Sequence, residues 1–517
     1  MKTRSFFCGI LIILTSVQVT ATESKSTRIN KNLNIYNDVY RQLDINYVDT
    51  LDYDKLTKIS INEMLRQVDP YTVYIPKEED DNLKLMTTGK YGGIGAIIMQ
   101  RDSFVCISEP YENMPAQENE VLAGDKILSI DGTNCKGKTT KEVSDMLRGV
   151  PGTTVTLKLE RPGVDKPFTK VLTRKEIHMP PVSYYTTYGE TGYVLFSEFT
   201  SGSAQEVLKA VEEMIKSRHI TGLVLDLRGN GGGLVDEAIQ LVSYFVDKGT
   251  MVVSTKGKTQ QSNREYTTKT SPIYKDLPIA VLVDGRSASA AEIVSGCFQD
   301  LHRATLIGQR TFGKGLVQSI RPIAFDGHLK VTTAHYYLPS GRCIQAIDYS
   351  ELQKGNKLHK DTAGGILPDI VMTDSAKVDI TYSLYQQQMF FDYSVLYHSQ
   401  HAAIAAPEEF ELSDQELEDF IAFLDSRHYS YQTETGKYMH DVIEMAKHED
   451  LDSVTIADLQ AFEQRLKPSY RDAIMRNKED VKRLLSEEII ERYYFQKGRI
   501  AYVLRFDKEL KKALEIL

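Results

Sequence analysis

Ser289 and Lys314 stand 25 residues apart, and between them they hold the parts of a nucleophile and its base. A serine hydroxyl is a weak nucleophile until a neighbouring group takes its proton, and a neutral lysine amine can do this without histidine. An exposed lysine cannot, because at a pKa of about 10.4 well under 0.1% of it is neutral at pH 7. Burial lowers that pKa, and a shift of about three units costs about 4 kcal/mol. A fold bears such a cost only where the amine has a use. Lys314 lies in Thr311-Phe-Gly-Lys-Gly-Leu-Val-Gln318, where Phe312, Leu316 and Val317 are apolar neighbours and Gly313 and Gly315 allow close backbone approach. If 315–320 is extended, Gln318 shares a face with Lys314, and its amide oxygen could hold the amine toward the serine.

Three serines compete for the nucleophile: Ser287, Ser289 and Ser295. The run Val281-Leu-Val-Asp-Gly-Arg-Ser-Ala-Ser-Ala-Ala-Glu-Ile-Val294 reads as an apolar strand, a small-residue turn and an apolar helix. Ser295 falls inside that helix, where it would be packed. Ser289 falls at its mouth, where the Ala290 amide lacks an intrahelical partner and the helix dipole favours developing negative charge. A second donor to an oxyanion would come from Arg228-Gly-Asn-Gly-Gly-Gly233, since glycine amides reach a ligand without hindrance. That run lacks the G-K-[ST] ending of a phosphate loop, and no dinucleotide fingerprint completes it, so nucleotide binding is set aside. Gly285-Arg-Ser-Ala-Ser289 begins like a G-x-S-x-G hydrolase elbow but ends in serine. That mechanism would need His302, His328 or His335, and nothing around these three suggests a base.

The elements that must position this chemistry read as an α/β domain over 176–375. Tyr193–Phe196, Leu223–Leu227 and Ile279–Val283 are apolar strands, the second interrupted only by Asp226 and so buried in a sheet. Ala204–Ile215 is an amphipathic helix, and another begins near Leu234. Strands alternating with helices imply a mostly parallel sheet. Residues 22–87 read as helices, with Leu33, Ile35, Tyr36, Val39, Tyr40 and Leu43 forming one stripe and Ile61, Met64, Leu65 and Val68 another. Residues 88–175 alternate short strands with glycine turns: Tyr91-Gly-Gly-Ile-Gly95, the strand Ala96–Met99, the turn at Ala123–Gly132, a helix from Thr140 to Leu147 and the strand Val155–Glu160. After Pro368–Val371 the composition turns to charged helices, of which Asp414–Leu424 and Ala473–Tyr494 are clear.

At 517 residues the chain holds several domains. A net charge of −9 and the lack of a basic stripe argue against nucleic acid as a partner. Met1–Leu14 is a basic start and an apolar run, followed by small residues at Val19-Thr-Ala21, so 1–21 reads as a secretory signal peptide. The run is short of the ~20 residues that span a bilayer, and an uncleaved anchor is the alternative. An exported chain, periplasmic or extracytoplasmic, is expected, with no stable membrane span after signal cleavage. Cys106, Cys135, Cys297 and Cys343 show no CxxC spacing, so metal sites are not expected. Export permits a disulfide, with Cys106 and Cys135 the best pair, but all four are expected as small buried hydrophobes.

Taken together, Ser287-Ala-Ser-Ala290, the Thr311–Gln318 loop, Asn46-Tyr-Val-Asp and Met64–Ile75 resemble the carboxyl-terminal processing proteases, the S41 family of Ser-Lys endopeptidases. The resemblance implies a crotonase/ClpP-like protease core with an inserted PDZ domain over 88–175 and helical N-terminal and C-terminal regions. It makes the second serine, Ser289, catalytic and leaves Ser287 as a turn or capping residue. It matches the 25-residue spacing to Lys314, gives Gln318 the third position, and pairs Ala290 with Gly232 or Gly233 in the oxyanion hole. It also implies that Gly92, Gly93, Ile94 and Gly95 form the PDZ loop, whose amides would hold a peptide's terminal carboxylate beside a strand edge that accepts the peptide. His335 stands where arginine is commoner, and Asp284 where asparagine is frequent. The expected activity is hydrolysis of peptide bonds near the C-termini of protein substrates with unstructured tails, without cofactor or metal; the alternative is an inactive PDZ-based peptide-binding scaffold. The resemblance ends near 372. Residues 376–517 are either a dimerisation or substrate-cradling element, giving a homodimer, or a packing appendage.

Overall fold

A computed structural model of the chain describes residues 24–354, 364–373, 380–466 and 469–517. The expected signal peptide lies outside the described residues.

Residues up to Arg66 form one compact unit, carrying the helices Lys25–Asn46 and Tyr53–Arg66. Its expected apolar stripe is largely unburied: Leu33, Ile35, Tyr36 and Val39 are all exposed. The second unit, Gln67–Leu517, carries the chemistry. It opens with a correction to the all-helical lead-in. Val73–Ile75 is a strand, paired antiparallel with the start of His328–Tyr337. Pro70 bars a helix just ahead of it, and valine, tyrosine and isoleucine then favour the pleated sheet.

The α/β core is a six-stranded sheet ordered Val182–Tyr188, Thr191–Phe196, Gly222–Asp226, Ile279–Val283, Thr305–Gly308 and Ile370–Val371. Its first pair is antiparallel and the rest are parallel. Side chains alternate across it. Val194, Leu223, Leu225, Val281 and Leu306 pack against the helices Ser203–Arg218, Val235–Ser243 and Ala290–Asp300. Tyr193, Val224, Ala280, Leu282 and Ile307 face the other way and are covered by Leu504, Leu510 and Ala513 from the end of the chain. Strands apolar on both faces need two covers, and the second comes from the C-terminal helix Lys508–Ile516. A smaller antiparallel sheet, built on His328–Tyr337, carries Leu316–Pro322 beside the site.

The segment from Ala96 to Thr173 folds as the expected small β-domain, with Thr140–Leu147 helical between its strands. Cys106 and Cys135 are both buried there and remain free thiols, as does buried Cys297. Cys343 departs from expectation. It is exposed, just beyond the Ser340–Arg342 turn, where it bridges to Tyr337. Residues 380–517 form a helical region with its own core, including Phe390, Phe420, Leu485 and Ile489. Arg492 donates to the Ser108 carbonyl and Arg101 pairs with Asp392, joining this region to the small β-domain. Among the described residues no helix is long and apolar enough to cross a membrane.

Candidate active site

The turn that presents the serines is built by Asp284. Its carboxylate accepts the Arg286 and Ser287 amides at 2.9 and 3.0 Å and the Gly229 amide at 2.9 Å. Those donors and the Arg286 side chain hold its pKa below the usual aspartate value against the desolvation of burial. Ser287 is fully buried and donates to the Leu227 carbonyl at 2.8 Å, so it closes the turn. Ser295 donates to the Ala291 carbonyl inside the helix and is also fully buried. Ser289, immediately before Ala290–Asp300, has φ 56° and ψ −114°, a conformation non-glycine residues rarely adopt. Such strain persists only where the surroundings over-determine it. Here the Ser289 amide donates to Glu292 at 2.9 Å, and the Tyr336 hydroxyl donates to the Ser289 carbonyl at 3.1 Å.

The glycine run lies against this turn. The Ala288 amide donates to the Asn230 carbonyl, and Asn230 in turn donates to Phe196. A Cβ on Gly232 would lie 2.7 Å from the Ser289 Cβ and 2.9 Å from the Ala290 nitrogen, so only glycine fits there. The Gly232 amide is already spent on Asn230 Oδ1 at 2.8 Å. Gly233 bridges Phe199 in parallel fashion, using the Gly232 carbonyl and the Leu234 amide. Its own N–H therefore points away from Phe199.

Glu292 joins the serine turn to the lysine loop. One carboxylate oxygen accepts the Ser289 and Lys314 amides, both at 2.9 Å; the other accepts Thr311 Oγ1 at 2.6 Å and the Gly313 amide at 2.8 Å. The side chain is 0% exposed. Burial raises its pKa, and these four donors oppose the rise. In the sequence the one signal of Glu292 is the capping-box spacing of Ser289-Ala-Ala-Glu292.

The Lys314 ammonium lies 4.5 Å from the centre of the Tyr71 ring. Phe312, expected as its apolar cover, is instead 44% exposed. The lysine pKa is lowered to about 8, first by burial and then by the Lys330 charge, against opposing pulls from Glu292 and Asp69. Asp69 fixes Tyr71 by accepting the Tyr71 and Thr72 amides at 2.8 and 2.7 Å, and Tyr349 meets the ring edge-on. Both residues lie in the Met64–Ile75 string, where Asp69-Pro70 was itself a turn signal.

The strand that carries Gln318 starts at Leu316, so Lys314 lies in the loop ahead of it, and the extra residue of the bulge beside Gln318 is Thr333 of the partner strand. Its amide donates to Thr332 Oγ1 at 3.5 Å. Among the described residues no hydrogen bond joins the Lys314 amine to Ser289 or to Gln318. The histidines lie elsewhere: His302 is exposed past the nucleophile helix, His335 is exposed opposite Leu316, and His328 begins its strand opposite Pro322.

A second candidate site lies in the small β-domain. Ala96–Arg101 is an edge strand with one side unpaired, flanked by the helix Thr140–Leu147. A cavity of about 200 Å³ lies there, lined by Ile94, Gly95, Ile98, Tyr111, Leu147 and Arg148. Gly92 packs so tightly that a Cβ would meet the Gly149 carbonyl at 2.0 Å. Gly93 pairs with Lys175, Ile94 is buried, and Gly95 takes φ 69°. The Arg148 guanidinium lies 5.1 Å from the Tyr91 ring.

Comparison with known proteins identifies the family. The model for peptidase family S41 matches residues 190–372, and a PDZ-domain model matches 106–161. Residues 380–517, for which sequence inspection offered no resemblance, match the model "probable PDZ-protease, C-terminal helical domain". The carboxy-terminal-processing protease of Bartonella bacilliformis is 37% identical over 369 residues, 71% of this chain and 80% of that protein. A probable CtpA-like serine protease of Staphylococcus aureus is 33% identical over 353 residues, 66% of this chain and 69% of its own length. Among solved structures, a photosystem II D1 C-terminal processing protease is 28% identical with a TM-score of 0.37, covering 66% of this chain and 92% of that one. The chain belongs to the carboxyl-terminal processing proteases, S41 peptidases that carry a PDZ domain.

Proposed function

We propose that this protease is an exported Ser-Lys endopeptidase that cuts proteins near carboxyl termini captured by its PDZ domain. The observation that carries the dyad is the single Glu292 oxygen on which the amides of Ser289 and Lys314 converge. The flexible lysine stem swings its amine from the Tyr71 ring to Ser289, and Gln318, whose contact with Thr332 is long at 3.5 Å, orients it. Ser289 Oγ attacks the scissile carbonyl carbon as the neutral amine takes its proton. The oxyanion receives the N–H groups of Ala290 and Gly233, the amide of Gly232 being engaged with Asn230. Collapse breaks the C–N bond, and the ammonium protonates the departing amine. Water then attacks the acyl-enzyme ester, giving its proton to Lys314, and Ser289 recovers its hydroxyl hydrogen.

A fluorophosphonate tests the nucleophile. Peptide mapping of the treated, casein-cleaving protein is expected to find the adduct on Ser289 and none on Ser287 or Ser295. A stable adduct on another serine would overturn the dyad.

Tail capture rests on the open strand edge and on Arg148, which lines the groove beside it. A charge-assisted hydrogen bond is worth about 1.5–3 kcal/mol. Amidating a substrate's C-terminus is therefore expected to raise KM about tenfold or more at nearly constant kcat. In an Arg148→Ala variant the same amidation should change little. Equal KM for acid and amide in the wild-type protein would remove carboxylate recognition.

The apolar leader supports export to a periplasmic or other extracytoplasmic space, and the unburied stripe of Leu33, Ile35, Tyr36 and Val39 supports a homodimer.

A further inference from the structure

The helical C-terminal region reaches the chemistry through one guanidinium. Arg228 immediately precedes the glycine run, and three carboxylates meet it. From its own strand, Asp226 accepts the Arg228 amide at 2.9 Å and the guanidinium at 2.5 Å, and also takes the Tyr193 hydroxyl at 2.7 Å. From the end of the chain, Asp507 accepts Nη2 at 2.6 Å and Glu509 lies 3.6 Å from Nη1. This cluster is mostly desolvated: Asp226, Asp507 and Arg228 side chains are 2%, 6% and 21% exposed. Asp507 is placed by two independent features. It caps Lys508–Ile516 by accepting the Leu510 amide at 2.8 Å, and that helix is seated on the sheet by Leu510, Ala513 and Leu517. The seat is close, since a Cβ on Gly222 would lie 3.4 Å from the Leu517 Cβ.

We propose that the C-terminal helical region is part of the catalytic module, with Asp507 a positioning residue that fixes Arg228 and, through it, the Gly229–Gly233 loop. The proposal rests on the reading of Gly233 as an oxyanion donor. A planar guanidinium held by a carboxylate on either side is fixed in orientation as well as place. Its backbone then starts the loop from a fixed point, Asp284 holds the adjoining Gly229 amide, and the Asn230 carbonyl ties the loop to the Ala288 amide. An oxyanion-hole donor is worth about 10²–10³ in kcat, and displacing rather than deleting it forfeits part of that.

Asp507→Asn is the variant of choice, because asparagine caps a helix about as well as aspartate and removes the charge. Per active site titrated with fluorophosphonate, kcat is expected to fall about tenfold, with KM within twofold and the pH midpoint unmoved. Arg228→Lys should cost at least as much, and Asp507→Asn should add little in that background, since the two act as one unit. Wild-type kcat in the titrated Asp507→Asn enzyme, or losses that simply multiply in the double variant, would overturn the clamp alone. A wild-type protein that cleaves without labelling at Ser289 would overturn the oxyanion reading, and this one with it.

Discussion

Replacing Lys314 with methionine is expected to lower kcat by about 10³-fold or more while tail binding persists. A positioned general base contributes about 10²–10⁴, and among the described residues His302, His328 and His335 all lie away from Ser289. On the proposed Ser-Lys mechanism the same lysine is expected to set the pH dependence of the wild-type protein. Its pKa of about 8 makes the neutral, competent form a minority below that pH. The rate should climb about tenfold per unit toward a midpoint near 8 and then level off. Part of the depression comes from the Lys330 charge, so Lys330→Met should move the midpoint upward. A flat profile between pH 6 and 8, or a Lys314→Met enzyme within tenfold of wild type, would remove the lysine from the mechanism.

Stability is expected to move the other way. In the unfolded chain a lysine titrates near 10.4, so the folded state binds this proton less well. The penalty is present in full below about pH 8 and disappears as pH rises toward 10.4. For a half-buried group, with solvent screening allowed for, it is on the order of 1–2 kcal/mol. Lys314→Met should therefore unfold at higher temperature than wild type at pH 7, and the difference should shrink by pH 10. An inactive variant that is more stable than its parent marks a residue kept for chemistry rather than for the fold.

What could be read from the sequence divides along a physical line. Apolar periodicity located the strands Thr191–Phe196 and Ile279–Val283 and the helix Thr140–Leu147, because burial on one or two faces leaves a local pattern. The serine turn was legible for a similar reason, since small residues at a strand-to-helix junction have few other uses. Two other things were not local. The face shared by Gln318 and Lys314 presumes that 315–320 is extended, whereas the strand begins at Leu316 and leaves Lys314 in the loop. Asp507 comes to Arg228 from 279 positions away, and no spacing rule connects them. Leu223–Asp226 did announce that both faces of its sheet needed cover. It could not say that the second cover was the last helix of the chain. Tyr71 over Lys314 belongs to the same class, a contact 243 residues apart in sequence made by a segment read as helical.

Glu292→Gln is expected to lower kcat about 10²-fold, although the change is isosteric and touches no substrate. All four groups around the carboxylate donate to it: the amides of Ser289, Gly313 and Lys314 and the Thr311 hydroxyl. An ionised carboxylate can accept from all of them, whereas a carboxamide offers one accepting oxygen and two hydrogens. If the glutamine oxygen takes Ser289 and Lys314, its NH2 faces the Gly313 amide, donor against donor. Thr311 can turn to accept, but its oxygen already takes the Ile366 amide at 2.7 Å. The reverse orientation is worse, because the Ser289 and Lys314 amides both lose their acceptor. An orphaned buried donor costs about 1–3 kcal/mol, and the chain relieves it by moving the Thr311–Gly315 loop or relaxing the strained Ser289 backbone. Either movement separates nucleophile from base. The measurement is kcat beside fluorophosphonate labelling rate and thermal midpoint: both rates should fall together, with KM for a tail peptide unchanged because the PDZ groove is untouched. A Glu292→Gln enzyme that labels and cleaves within threefold of wild type would mean that this carboxylate holds only the helix, and that the dyad is aligned by something else.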